Sequence, residues 1–314
     1  MAGIAVGDGT TFKYITEVVE NTSPITGSMI PAAIVSEALK YNRSKTASAS
    51  INPHGQVDSL IRGTSSATGP VVHELRYGEF DEFFESVFRK AWATDVLLIG
   101  TVDKSFTFER GFPLITTPAF ELFSGCKADG FNMSVPSDSR KVDLTFNWFG
   151  HEEATPVPTS DWETANAGVS AGANPADGLA PMFMSCGLLL QDSVAIATVT
   201  GFTLDLSKGL NAIDTVDCDA PSSIVSSQLF SVGGTLDMVF TSMDTHNDFL
   251  QDTEFTLEFT LTDGTSTYLF EMDACEFSDS ANPITGPNQV NRNLAYIAKY
   301  DTGLTSTIRL TRTA

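Results

Sequence analysis

Phe255-Thr256-Leu257-Glu258-Phe259-Thr260-Leu261 alternates apolar and polar residues without a break. In an extended chain, successive side chains point to opposite faces, so this run is a strand with one buried and one wet face. The same period of two recurs at Phe131-Asn132-Met133-Ser134-Val135, at Val142-Asp143-Leu144-Thr145-Phe146-Asn147-Trp148, and in the shorter runs Leu236-Asp237-Met238 and Ile308-Arg309-Leu310. Thr and Ser crowd these runs, as pleated half-exposed surfaces favour. Gly, Asp and Pro punctuate the gaps, for example at Asp263-Gly264. The pattern predicts a mainly antiparallel β protein.

One segment breaks the period. Phe80, Phe83, Phe84, Val87, Phe88 and Ala91 fall on one face of a 3.6-residue helix. Acidic Glu79, Asp81 and Glu82 open it, and basic Arg89 and Lys90 close it, as the macrodipole favours. The spacing predicts a helix over residues 79–92 packed on a sheet. Residues 151–177 carry Pro156, Pro158 and Pro175 among many small residues, and read as a connector or surface loop.

The two halves share an order of elements. In the first, Gly69-Pro70-Val71-Val72 is followed by Asp81-Glu82-Phe83-Phe84, then Ser105-Phe106-Thr107-Phe108-Glu109, then Cys126. In the second, Gly234-Thr235-Leu236-Asp237 is followed by Asn247-Asp248-Phe249-Leu250, then Glu254-Phe255-Thr256-Leu257-Glu258, then Cys275. Each series reads as a strand opened by Gly, an acidic helix start, a Phe-rich strand and a Cys-bearing strand. Thr245 and Asp248 resemble a capping box for the second helix. The expected division is a 1–45 arm, a 46–150 sandwich, a 151–190 connector and a 191–314 sandwich.

Composition narrows the function. The 314 residues are 42% hydrophobic, enough for a sizeable core. Thirty-nine acidic against 18 basic side chains give a net charge of −21. Counterion release on DNA needs clustered Lys and Arg, so this surface repels nucleic acid and anionic membranes alike. No apolar stretch approaches the roughly 20 residues of a membrane span, and Met1–Asp8 lacks the basic start of a signal peptide. Cys126, Cys186, Cys218 and Cys275 are scattered, which reads as reduced thiols in a cytoplasm rather than a disulfide framework.

Reaction chemistry is hard to find. His54, His73, His151 and His246 form no HxH or HxxxH pair, so no zinc site is expected. No phosphate-binding Gly loop or nucleophile elbow is present. The acidic groups Asp214, Asp217, Asp219 and Asp244, Asn247, Asp248 lack the spacing of a calcium loop. Spacing alone leaves open a Cys–His pair or a pair of carboxylates for glycoside hydrolysis. Cys126 and Cys275 fall at matching repeat positions, which favours packing. No catalytic residue, cofactor or metal is assigned, and the chain is read as a non-enzyme.

Further residues carry a family resemblance. They are Ser59-Leu60-Ile61-Arg62-Gly63, then Glu74-Leu75-Arg76-Tyr77-Gly78-Glu79-Phe80, then Ser105-Phe106-Thr107-Phe108-Glu109-Arg110 and Phe123-Ser124-Gly125-Cys126, ending at Phe146-Asn147-Trp148-Phe149-Gly150. In the second half they are Val199-Thr200-Gly201-Phe202-Thr203-Leu204, Gly233-Gly234-Thr235-Leu236 and Ile297-Ala298-Lys299-Tyr300-Asp301. Together these resemble the tail tube (major tail) proteins of long, non-contractile-tailed bacteriophages of the siphovirus type. Residues 151–177 have no counterpart in that resemblance.

The resemblance implies two tandem antiparallel β-sandwich or partial-barrel units, each with a flanking short helix. These would close into a ring-shaped β-barrel on oligomerisation, and stacked rings would form the tube through which phage DNA is ejected. It implies tail-tip, tape-measure and tail-terminator proteins as partners, DNA passing without specific binding, no membrane, and assembly in the host cytoplasm into the virion tail. Tubes of this type resemble six-fold rings of single sandwiches. A doubled chain then implies a trimeric, pseudo-six-fold ring, with a hexamer as the alternative. The expected lumen-facing residues are Glu74, Arg76, Glu109 and Asp143 in the first copy and Asp205, Asp237, Glu254 and Glu258 in the second. Ring-to-ring contacts are expected from residues 1–45, 49–68 and 151–177. The rival reading is a secreted or cell-surface adhesin or surface-layer sandwich, which shares the acidic, Thr-rich composition.

Overall fold

The computed structural model describes residues 5–51, 53–196, 198–216, 219–281 and 289–314, without the side chains of Asp8, residues 186–188 and Ala281. Asp217, Cys218 and the Cys186 thiol lie outside the described residues. β1 (Thr11–Thr16), β2 (Thr26–Pro31), β3 (Ser36–Glu37), β4 (Lys40–Ala47) and β5 (Leu60–Glu74) lead to α1 (Asp81–Phe88). Next come β6 (Val96–Leu98), β7 (Phe106–Phe112), β8 (Ala119–Pro136), β9 (Asp143–Gly150), β10 (Glu152–Glu153), α2 (Trp162–Ala165) and β11 (Gly168–Ala171). The rest comprises β12 (Phe183–Gln191), β13 (Val194–Ala195), β14 (Val199–Ser207), β15 (Leu210–Ile213), β16 (Ser223–Ser226), β17 (Ser231–Val239), α3 (Asp244–Leu250), β18 (Phe255–Thr262), β19 (Thr267–Ala281), β20 (Asn291–Ala298) and β21 (Arg309–Thr313). The protein is mainly β and sandwich-like, as the period of two requires.

Two long strands organise it. β8 pairs with β7 through its first half and with β9 and β14 through its second. β19 does the same, with β18 first and β20 later. Each passes from one sheet layer to the other. The bends coincide: the register slips between Phe106 and Phe108 and between Phe255 and Leu257, then between Ala128 and Gly130 and between Phe277 and Asp279. A bulge is how a strand turns a corner without losing its ladder. Cys126 opposes Phe106 as Cys275 opposes Phe255, and both thiols are buried and free.

One layer is a continuous antiparallel run of eight strands, in the order β4-β5-β9-β8-β14-β17-β20-β19. The first four come from the first half of the chain and the last four from the second. β14 occupies, against β17, the place that β3 and β4 occupy against β5: Lys40 opposes Thr68 as Asp205 opposes Gly233. The facing layers are β11-β2-β1-β7-β8 in the first half and β13-β12-β18-β19-β21-β6 in the second.

Strands β1 to β4 are thus woven into both layers, so residues 11–47 do not form a separate arm. Buried Phe12 and Tyr14 alternate with half-buried Lys13 and hold β1 against β7. Residues 151–177 also dock. Trp162 packs on Ile15, Met29 and Val169 and donates its indole N–H to the Pro24 carbonyl at 2.8 Å.

α1 fills the space between the layers. Phe83 lies 4.7 Å from the Tyr14 ring and 4.9 Å from that of Trp148. Phe84 touches Phe131 and also Tyr268 and Phe270 of the second half, so a single apolar cluster spans both halves. The helix is shorter than its periodicity predicts. It ends at Phe88 because Arg89 turns left-handed (φ 56°), and Gly100 and Val102 return their N–H groups to the Phe88 and Arg89 carbonyls at 2.8 Å. Ala91 is left exposed, and Arg89 and Lys90 follow the helix rather than closing its last turn. The expected capping box also fails. α3 begins at Asp244 behind Met243, which offers no side-chain cap, and Thr245 lies inside it.

His73 is sealed in this core, its Nδ1–H donating to the Ala33 carbonyl at 2.8 Å and its ring 4.4 Å from that of Phe80. Burial lowers its pKa from 6.5 to about 4, against the opposing effect of that hydrogen bond. The unfolded chain takes up this proton first as the pH falls, so the stability from a neutral His73 is lost between pH 6.5 and 4. Urea denaturation across that range is expected to show a steeper acid loss for the wild type than for His73→Leu.

Candidate assembly surface

The eight-stranded layer has one face in the core and one open. Facing inward are Val71, Phe131, Met133, Leu144, Phe146, Trp148, Phe202, Leu204, Leu236, Leu294 and Tyr296, all buried. The open face carries Thr, Ser and Asn with the carboxylates of Glu74, Asp143, Asp205, Asp237 and Glu276, none of them buried. This is the alternation that a sheet with one wet face requires. The face is tied together crosswise. Asn132 donates to Asp205, Asn293 donates to Asp237 at 2.6 Å, and the hydroxyls of Thr203 and Thr235 meet at 2.9 Å. Lys141 bridges Glu74 and Asp143 at 3.0 Å each.

Four of the eight residues named from sequence therefore share this face: Glu74, Asp143, Asp205 and Asp237. The other four lie elsewhere. Arg76 sits in the turn between β5 and α1, close enough to stabilise the Glu79 carboxylate. Glu109 is on β7 in the facing layer, buried under α2, where its carboxylate accepts the Trp162 N–H at 2.6 Å. Burial raises its pKa, with the Trp162 hydrogen bond and Lys13 opposing. Glu254 precedes β18 and pairs with Lys299 at 2.7 Å. Glu258 is on β18, opposite Glu271 of β19, again in the facing layer. The alternation places these side chains on a strand face but carries no information about which layer the strand joins.

The layer ends in two unlike edges. β4 pairs only with β5 among the described residues, and it carries Lys40, Arg43 and Lys45. Past Cys275, β19 pairs only with β20 among the described residues, and it carries Glu276 and Asp279. Beyond the edge, residues 48–59 join β4 to β5 and expose Ile51 and Val57, with Leu60 and Ile61 exposed at the start of β5.

The seam between the halves holds ionic groups that sequence reading missed. Lys208, fully buried, donates from Nζ to the Ser86 carbonyl at 2.9 Å and lies 3.8 Å from Asp103. Lys127, also buried, donates to the Ile224 carbonyl at 2.7 Å, pairs with Glu20 at 2.9 Å and lies 3.7 Å from Asp103. Arg89 pairs with Asp103 at 2.8 Å, and His151 with Glu20 at 2.8 Å. Burial alone would raise the Glu20 pKa, but hydrogen bonds from His151 and Lys127 and the Lys127 charge bring it down to about 2. These residues share no motif, because only the closed fold brings them together.

Among the described residues no group of three or more His, Cys, Asp or Glu side chains converges as a metal site, and no helix is long and apolar enough to cross a membrane. A search of curated proteins returns no match. A family profile described as phage tail tube protein matches residues 7–298. A match over nearly the whole chain identifies it: the protein belongs to the phage tail tube protein family, structural components of the virion tail that assemble into a tube.

Proposed function

We propose that three copies of this chain close their eight-stranded layers into one ring, and that stacked rings form the DNA conduit of a long, non-contractile tail. The observation that carries the reading is the β8–β14 joint, by which one chain already links two matching four-stranded sets edge to edge. Two sets per chain make three chains the equivalent of six single units. Unlike edges at the two ends suit a heterologous contact that closes only by rotation, and closure leaves no strand edge exposed.

The open face becomes the bore in this reading, with Glu74, Asp143, Asp205 and Asp237 lining it. Its carboxylates repel phosphate, so DNA slides instead of binding. Glu109 and Glu258 on the facing layers, Glu254 ahead of β18 and Arg76 in the turn before α1 take no part in the lining. In this reading each chain contributes two sandwich units, with β1 to β4 part of the first. The exposed apolar tip at residues 48–61 is the proposed ring-to-ring contact, with tail-tip, tape-measure and terminator proteins at the ends of the tube. Assembly takes place in the host cytoplasm.

Negative-stain electron microscopy of concentrated protein, alone and seeded with tail tips, tests this. Hollow tubes with three chains per ring are the expected result. Six chains per ring would overturn the stoichiometry, and monomers that persist with tail tips present would overturn the conduit.

A further inference from the structure

The joint between neighbouring chains can be read from the joint inside one chain. Within the chain, β14 runs antiparallel along the second half of β8, from Gly201 opposite Pro136 to Ser207 opposite Gly130. The next residue, Lys208, donates its backbone N–H to the Asp129 carbonyl at 2.9 Å. Its side chain then reaches the Ser86 carbonyl, near the C-terminal end of α1.

Each partner in this joint has a counterpart at the free edges. Shared registers against β17 and β5 place Asn42 where Ser207 stands, Tyr41 where Leu206 stands, and Arg43 where Lys208 stands. Shared bulges on the two long strands place Asp279 where Gly130 stands and Ser280 where Phe131 stands. A cation therefore stands at the matching position in both copies, just past the end of β14 and within β4. Lys208 is buried against its acceptors, whereas the Arg43 side chain is 30% exposed and 3.6 Å from Asp219. The β4 edge is basic and the β19 edge acidic, so the two attract.

We propose that β4 of one chain adds antiparallel to residues 278–281 of the next, with Asn42 opposite Asp279, Tyr41 opposite Ser280, and Arg43 in the role of Lys208. Main-chain ladder bonds supply the contact, as in other strand additions. The Arg43 guanidinium leaves Asp219 for the Ser278 backbone and joins Lys299 at the two carboxylates that Lys299 bridges, Glu276 and Glu254. The inference rests on the tube reading and adds its register.

Disulfide trapping tests it. Directly opposed antiparallel residues have Cα atoms about 4.5–5.5 Å apart, within the range a disulfide spans. The double variant Asn42→Cys/Asp279→Cys, assembled and then oxidised, is expected to link chains into a ladder that stops at three on a non-reducing gel. The pair Thr46→Cys/Asp279→Cys, displaced by about 13 Å along the strand, is expected to stay unlinked, as are the single variants and the wild type. Tubes seen by microscopy without the Asn42–Asp279 link, or equal linking of the displaced pair, would overturn the register while leaving the tube intact. Failure of the wild type to assemble even on tail tips would instead sink the reading beneath it.

A second variant needs no new thiol. Arg43→Ala is expected to raise the concentration needed for assembly at least tenfold, with an unchanged monomer melt. Arg62→Ala, on the neighbouring strand, is expected to leave assembly unaffected. Equal behaviour of the two would remove Arg43 from the joint.

Discussion

Gly234→Val is expected to cost about 3 kcal/mol or more and to lower the melting temperature by on the order of 6–10 °C. A Cβ on Gly234 would sit 2.0 Å from the Thr203 carbonyl oxygen, and one on Gly69 would sit 2.2 Å from that of Ala38. In both places the obstacle is backbone, so no rotamer change relieves it. Ala38 and Thr203 stand at matching positions of the two halves, and so do the two glycines. Gly234 has one more constraint: the Tyr296 hydroxyl donates to that same Thr203 carbonyl at 2.9 Å. Gly69→Val is expected to behave alike. Gly7→Ala, with open space around it and no positive φ, should stay within about 0.5 kcal/mol. Thermal melts of the three variants check this, and a Gly234→Val melt matching Gly7→Ala would show that the strands can move apart freely.

Asp103→Ala is expected to cost about 3 kcal/mol, the penalty for taking the anion away from the buried Lys127 and Lys208. It leaves Arg89, Lys127 and Lys208 without their shared anion. Burial already lowers the Lys208 pKa from 10.5 to about 8, and the charge of Asp103 is the main influence holding it up. A base depressed in the folded state costs stability while it is charged. That cost is present below pH 8 and relieved as the pH rises from 8 towards 10.5, where the unfolded chain binds the extra proton. The variant should therefore regain part of its loss in alkaline buffer. Asp103→Ala/Lys208→Met should regain part of it at neutral pH, since the uncompensated charge is gone. Urea unfolding of the single and double variants gives the answer. If the double variant is no more stable than the single, the loss comes from packing and not from charge.

Much of this was legible in the residue order. The period of two at 131–135, 142–148 and 255–261 marks strands because alternation reports which side of a strand is buried, and burial there is a local property. The matched series Gly69, Cys126 and Gly234, Cys275 shows the repeat because each residue meets a steric demand that recurs in both copies. A Cβ has no room at either glycine, and a small thiol fits at either bend. Tertiary structure decided the remainder. Alternation placed Glu109 and Asp143 on strand faces alike, but only the path of β8 across the sandwich puts them in different layers. The helix stops at Phe88 because N–H groups from residues 100 and 102 return to its end, which no helical periodicity contains. Glu20, Arg89, Asp103, Lys127, His151 and Lys208 are unremarkable polar residues along the sequence. They become one connected group only in the closed fold, where β14 pairs with β8 and adds the buried Lys208 beside Asp103, since the fold, and not sequence separation, sets the distances and the solvent exclusion on which Coulomb attraction depends.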